Sequence, residues 1–197
     1  SNKGTGRAVA KPNLPKSVKV EKVKFDLYLD GTASMKGYVN YPNDTVYVNA
    51  IKGIERAIVG NWKQETLQVV KFGDGFTKLD RNDYLKFNQV DFYDQIDTIL
   101  QKVVEQLGDD TVSIVVTDLF QTNQDIDSLL IALKDKCFTH EKALGLIGIR
   151  SQFNGTIYDV GKNLASFSYT SSEDKASFRP FYFLILGPEN EVRSFLL

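Results

Sequence analysis

Three oxygen-bearing side chains, Asp30, Thr32 and Ser34, stand at alternate positions in the stretch Asp30-Gly31-Thr32-Ala33-Ser34-Met35-Lys36-Gly37. Alternate side chains of an extended turn point the same way, so one carboxylate and two hydroxyls are aimed together. A further carboxylate, Asp118, closes a separate apolar run, Thr111 to Thr117. Carboxylate and hydroxyl oxygens are hard ligands, suited to Mg²⁺, Ca²⁺ or Mn²⁺ rather than to zinc or copper. Two carboxylates and two hydroxyls supply much of an octahedral shell, with water completing it. The same residue types also make turns and caps by bonding nearby backbone. Which of the two roles applies depends on whether the fold brings Asp118 to the first three residues.

The elements that must do this are legible in the pattern. An apolar run ending at Asp30 reads as a buried strand over about Val20 to Asp30. Asn43 or Asp44 is placed to cap a helix carrying Val48, Ile51, Ile54 and Ile58, which Gly60 ends. Leu67 to Phe72 is a second buried strand, and Gly73-Asp74-Gly75 turns it into a short antiparallel return, Phe76 to Leu79. After a polar, irregular stretch, Phe92, Ile96, Ile99, Val103 and Leu107 form one helical stripe closed by Gly108. The strand Thr111 to Thr117 delivers Asp118. A helix opening at Asn123 or Asp125 follows, with Ile126, Leu129, Leu130, Leu133 and Cys137 inward. Ala143 to Ile149 and Pro180 to Leu186 complete the set of buried strands, and Glu189 to Leu197 begins a helix that reads as unfinished. Strands alternating with helices predict an α/β fold: a doubly wound, mostly parallel sheet of about six strands with helices on both faces. In such sheets ligands gather at the carboxyl ends of strands, where Asp30 and Asp118 both lie.

The stretch Asp30 to Gly37 resembles the opening motif of the von Willebrand factor A family, Asp-x-Ser-x-Ser followed by Met-x-Gly, with Thr32 in place of the first Ser. Thr117-Asp118 is similar to the family's third metal loop, and Gln68 to Asp74 looks like its second strand and turn. The likeness runs from about residue 23 to 150, and more loosely to 187. It implies a Rossmann-like vWA fold and a metal-ion-dependent adhesion site in which Asp30, Thr32, Ser34 and Asp118 hold Mg²⁺, or Ca²⁺ or Mn²⁺. It also implies a protein partner whose exposed Asp or Glu fills the open coordination position, and therefore recognition and not catalysis. One departure stands out: the family's second loop brings a Thr, whereas Asn88-Gln89-Val90-Asp91-Phe92 has none, and Asp91 is the nearest oxygen ligand. A third carboxylate weakens the ion's pull on an incoming acid and favours Ca²⁺, or the site is degenerate. The alternative is a vWA-like structural or scaffolding domain that works without metal. Leu27 to Thr32 is also similar to the opening motif of the haloacid dehalogenase phosphatases, but Tyr28 occupies the place of the nucleophilic carboxylate, which leaves a metal-dependent phosphohydrolase as a remote reading.

The rest of the chain adds bounds. With 197 residues, 42% hydrophobic and 25% charged, it is long enough to bury a core without staples. One cysteine, Cys137, excludes an intrachain disulfide, and one histidine, His140, suggests no catalytic set. No apolar run approaches the length of a membrane span. Residues 1–24 carry seven basic side chains and one acid, against 17 basic and 24 acidic in the remainder. We read residues 1–19 as a flexible basic lead-in and 20–197 as the domain, expected to continue past Leu197. The lead-in lacks the interleaved aromatics of a nucleic-acid arm. It suits a tether to a cell-surface domain, although composition leaves the compartment open. The long segment Arg150 to Arg179 has little helical character except a possible turn at Asp159 to Ala165. Its first part, Ser151 to Tyr158, is expected to border the metal face, making Phe153 and Tyr158 candidates for partner contact, as are Tyr38 and Tyr41 beyond the motif, the competing reading of these two tyrosines being as core or staple residues. A hairpin covering a sheet edge is the competing reading of that segment.

Overall fold

The computed structural model describes residues 23–61, 67–97, 100–120, 126–139, 142–158 and 165–196. The basic lead-in, the helix opening at Asn123 or Asp125, His140 and nearly all of the turn expected at Asp159 to Ala165 lie outside the described residues.

A six-stranded sheet forms the middle layer. Its central strand β1 (Lys24–Asp30) pairs in parallel with β2 (Leu67–Phe72) on one side and β4 (Thr111–Thr117) on the other. The register sets Tyr28 opposite Val70 and Val115. β3 (Phe76–Leu79) returns antiparallel along β2. On the far side β8 (Arg179–Pro188) is inserted antiparallel between β4 and β5 (Lys142–Ser151), giving the order β3-β2-β1-β4-β8-β5.

The sheet is therefore mixed where a mostly parallel one was expected. β1, β2, β4 and β5 share one direction, and β3 and β8 oppose it. The cause is the connection after β5. The chain makes a small two-stranded hairpin, β6 (Asn154–Tyr158) and β7 (Ser166–Thr170), and returns as β8 along β5 with no crossover helix among the described residues. Antiparallel neighbours need only a short link, whereas a parallel pair needs a crossover of a dozen or more residues.

Helices cover both faces, as the alternating pattern requires. α1 (Val46–Asn61) and α5 (Glu189–Leu196) lie over the face of Phe25, Leu27, Leu29, Val112, Ile114 and Val116. The short α2 (Arg81–Tyr84) and the 3₁₀ turns after it add Tyr84, Phe87, Phe92 and Tyr93 to that core. α3 (Leu100–Gln106) and α4 (Ile126–Lys134) pack Leu100, Val103, Val104, Leu129 and Ala132 on Tyr28, Val70, Phe72 and Val115. Both faces of β4 are buried, which is why its sequence is apolar without alternation.

Three element readings change. α1 is capped by Thr45, one residue past Asp44: its Oγ1 accepts from Val48 N at 3.3 Å. The stripe from Phe92 to Leu107 is not one helix, because Tyr93 to Asp97 is non-helical, with Gln95 held in a bridge to Thr32, and α3 begins only at Leu100. β5 is an edge strand with Leu144 and Leu146 exposed, and Leu130 of α4 is exposed as well.

Candidate functional site

At the carboxyl end of β1 the chain cannot continue as a strand, because the turn is tied down from both sides. Gly31 N donates to Phe72 O at 2.8 Å. Gln95 N donates to Gly31 O and Ala33 N to Gln95 O, each at 3.0 Å, making an isolated parallel bridge between Thr32 and Gln95. The chain then winds into a 3₁₀ turn, Ala33–Tyr38. These backbone bonds hold Asp30, Thr32 and Ser34 in place, and all three are buried.

Asp30 is 0% exposed, and each of its oxygens has a donor. Oδ1 accepts from Thr32 N at 3.0 Å and Thr32 Oγ1 at 2.6 Å. Oδ2 accepts from Thr117 Oγ1 at 2.8 Å. Thr32 Oγ1 lies 3.2 Å from Ser34 Oγ, and the Ser34 hydroxyl is near enough to Asp118 to favour its charge. The fold thus brings Asp30, Thr32, Ser34 and Asp118 together across the β1–β4 ladder.

Asp118 is partly buried on the turn that ends β4. Its Oδ1 accepts from Phe120 N at 3.0 Å, and Leu119 N donates to Thr117 Oγ1 at 3.1 Å. Leu119 has φ 61°, a left-handed conformation that a branched side chain adopts only at a cost of about 1–3 kcal/mol. The strained residue follows directly on the second carboxylate.

The electrostatics follow from burial. Removal from water pushes the Asp30 carboxyl up to about 7, and the Asp118 charge adds to this, against the bonds from Thr32 and Thr117 that favour ionisation. Asp118 is also raised, again mainly by burial, and is eased back by Phe120 N, Ser34 and the Arg179 guanidinium. Two carboxylates this close resist ionising together.

Asp91 does not join them. It is exposed on the 3₁₀ turn Val90–Phe92, whose orientation is set by the burial of Phe92 and Tyr93 in the core. The residue alongside the motif is Gln95, seven positions past the Asn88 to Phe92 stretch's first residue, and it contributes backbone only to the turn. Among the described residues there is no group of three or more His, Cys, Asp or Glu side chains placed to share a metal ion. The donor set at the β1 and β4 ends is two carboxylates and two hydroxyls, hard oxygens whose chemistry fits a hard dication.

Two expected contact residues are core residues. Tyr38 is 0% exposed, stacked on Tyr47 at 5.3 Å and edge-on to Phe153 and Phe181, with its hydroxyl donating to Pro180 O at 2.5 Å. Phe153 is 1% exposed and fills the space over Gly37. An aromatic residue near a loop reads equally as rim or as plug, and only packing separates the two. Tyr158 stays at the surface, its ring 6.1 Å from that of Phe120. Tyr41 is half-buried, bonded through its hydroxyl to Phe153 O and Ser171 Oγ. The segment after β5 is indeed a hairpin, and it lies beside the site: Gly155 meets Gly37 so closely that a Cβ on Gly155 would stand 2.8 Å from Gly37 Cα.

Sequence reasoning passed over three residues. Thr117 joins the two loops by donating to Asp30 and accepting from Leu119, a role its place before Asp118 could have suggested. Asp74 is more than a turn residue, since its Oδ1 accepts from Ile96 N and Asp97 N and anchors the strand that holds the motif. Arg179, at the start of β8, sets its guanidinium 4.9 Å over the Phe153 ring, and no local pattern announces it.

Comparison with family models, with curated proteins and with solved structures found no match to this chain. The architecture itself is a Rossmann-like, vWA-like mixed sheet with helices on both faces.

Proposed function

We propose that the chain is a non-catalytic recognition or scaffolding domain of vWA-like build, whose loop cluster at the β1 and β4 ends is held together without a metal ion. The observation that carries this reading is the internal satisfaction of the site. Both Asp30 oxygens are taken by Thr32 and Thr117, and Asp118 is bonded by Phe120 N and faced by Ser34 and Arg179. Buried polar groups that are fully bonded specify one local structure, which is what a binding surface needs.

A second reading is supported by the convergence of hard oxygens. Asp30, Thr32, Ser34 and Asp118 would hold Mg²⁺, Ca²⁺ or Mn²⁺, and the ion would offer an open position to a partner's Asp or Glu. In that case the role of this chain is to keep the four donors aimed inward through Gln95 and Thr117. Phosphohydrolase chemistry has less support, because Tyr28 is buried against the helices of the opposite layer, where a nucleophile is needed.

Calorimetric titration and thermal melting decide between the two. For the metal-independent domain we expect the same melting temperature in EDTA and in millimolar MgCl₂, CaCl₂ or MnCl₂. A saturable heat and a raised melting temperature, both lost in Asp30→Ala, would establish the metal-dependent reading in its place.

A further inference from the structure

We infer that Arg179 is the receptor for a carboxylate of the partner, in effect the fixed cation of the recognition surface. The inference rests on the recognition reading and names the group recognised.

Four observations lead to it. Arg179 begins β8 opposite Ser151, the last residue of β5, and three positions before Tyr182, which pairs with Thr117. It therefore stands at the same end of the sheet as Asp30 and Asp118, beyond the last rung of the β4 ladder. Its guanidinium rests on the Phe153 ring, and Phe153 is itself fixed by Tyr38 and by the close approach at Gly37. A guanidinium stacked on a buried ring is pre-organised, so little side-chain freedom is lost when it binds. Among the described residues no carboxylate lies within ion-pair distance of Arg179, unlike Lys52, Lys71, Arg81, Lys86, Lys142 and Arg193. Finally, its Nε is enclosed and has no hydrogen-bond acceptor. An enclosed donor without an acceptor is costly, and a small shift of the half-buried head toward an arriving oxyanion removes that cost.

The chemistry selects the ligand. An arginine fork matches the two oxygens of a carboxylate. Asp118 lies close enough for its charge to feel Arg179, so an incoming anion meets that carboxylate as well. A singly charged carboxylate tolerates this neighbour better than a phosphate dianion does. The fitting partner is a protein segment presenting Asp or Glu.

The test uses the whole chain, isotope-labelled, with sodium acetate as the probe. Acetate is titrated in EDTA and again in MgCl₂, at ionic strength matched with chloride, while the Arg179 Nε–H resonance and the backbone amides of Thr32 and Ser34 are followed. Inorganic phosphate is titrated in parallel. We expect a saturable acetate shift at Arg179 in EDTA, weaker with phosphate, and weakened roughly tenfold or more in Arg179→Gln, the equivalent of one charge-assisted bond. Arg179→Lys, which keeps the charge and loses the fork, should recover part of it, and the backbone spectrum of each variant reports its folding. Acetate binding that appears only with Mg²⁺ and is lost in Arg179→Gln keeps the inference and overturns the metal-independent domain. Binding that survives Arg179→Gln unchanged, phosphate binding tighter than acetate, or no saturable shift in either buffer overturns the inference.

Discussion

Asp30 is a fully buried carboxyl whose ionisation burial opposes, and the consequence is a pH dependence. In the unfolded chain its carboxyl ionises near the usual value of 3.8, whereas in the fold it holds its proton to about 7. Between those values the native state binds a proton that the unfolded state has released. Stability therefore falls as pH rises from about 4 to about 7 and levels off above that. Asp118, also raised, acts in the same direction. With about 1.4 kcal/mol per pKa unit, the loss is on the order of a few kcal/mol. Urea midpoints measured in EDTA at acidic and at mildly alkaline pH should show it, and Asp30→Asn should flatten the slope; an unchanged slope would mean that another group is responsible. Leu119 offers a second residue-scale check. Leu119→Gly relieves a left-handed strain but loosens the unfolded chain and removes a side chain packed beside the α3–α4 core, so we expect a small net change, within about 1 kcal/mol. At this scale the sequence was most informative where residues are neighbours in the chain: Asp30, Thr32 and Ser34 could be read together, and Thr117-Asp118 as their complement. Asp91 was misread because its side-chain type was right but its turn is oriented by Phe92 and Tyr93.

The contact between the 3₁₀ turn Ala33–Tyr38 and the β6–β7 hairpin decides how rigid the site is. Gly37 and Gly155 allow the two backbones to touch, and Phe153 fills what remains. A methyl group at Gly37 would come within 2.3 Å of the Phe153 ring. Gly37→Ala is expected to cost about 1–3 kcal/mol through overpacking. Phe153→Ala is expected to cost about 3–5 kcal/mol through the cavity it leaves. Thermal melts measure both costs. If the hairpin supports the site, each variant should also disturb the amide resonances of Thr32 and Ser34, and a purely local cost with unchanged resonances would show that the hairpin does not support it. Removing one hydroxyl in Tyr38→Phe leaves Pro180 O without its donor and should cost about 1 kcal/mol. The strands β2, β3 and β4 were legible to the residue because runs bounded by Gly or Asp leave little choice of ends. The helix drawn from Phe92 was too long. Its stripe had the right period, but Ala33, Gly31 and Asp74 engage the backbone of Gln95 to Asp97 and keep it out of a helix.

Across the whole molecule, stability is graded from the sheet's centre outward. β1 and β4 have strands on both sides and helices on both faces, whereas β5 is an edge strand with Leu144 and Leu146 exposed. Amide hydrogen exchange should be slowest in β1 and β4 and much faster in β5, β6 and β7. Equal protection in β5 would indicate that its edge is covered in solution. The sequence by itself determined the α/β class, the ends of β2, β3 and β4, and a carboxylate at the end of each of two buried strands, because these follow from local periodicity and turn chemistry. Only the tertiary structure decided that β8 enters antiparallel beside β4, since strand order depends on which hydrogen-bonding edge is free when the chain returns. It also decided that Tyr38 and Phe153 are plugs, and that Gln95 rather than Asp91 flanks the motif. Arg179, 61 positions after Asp118, reaches the site the same way, through long-range packing that no local pattern encodes.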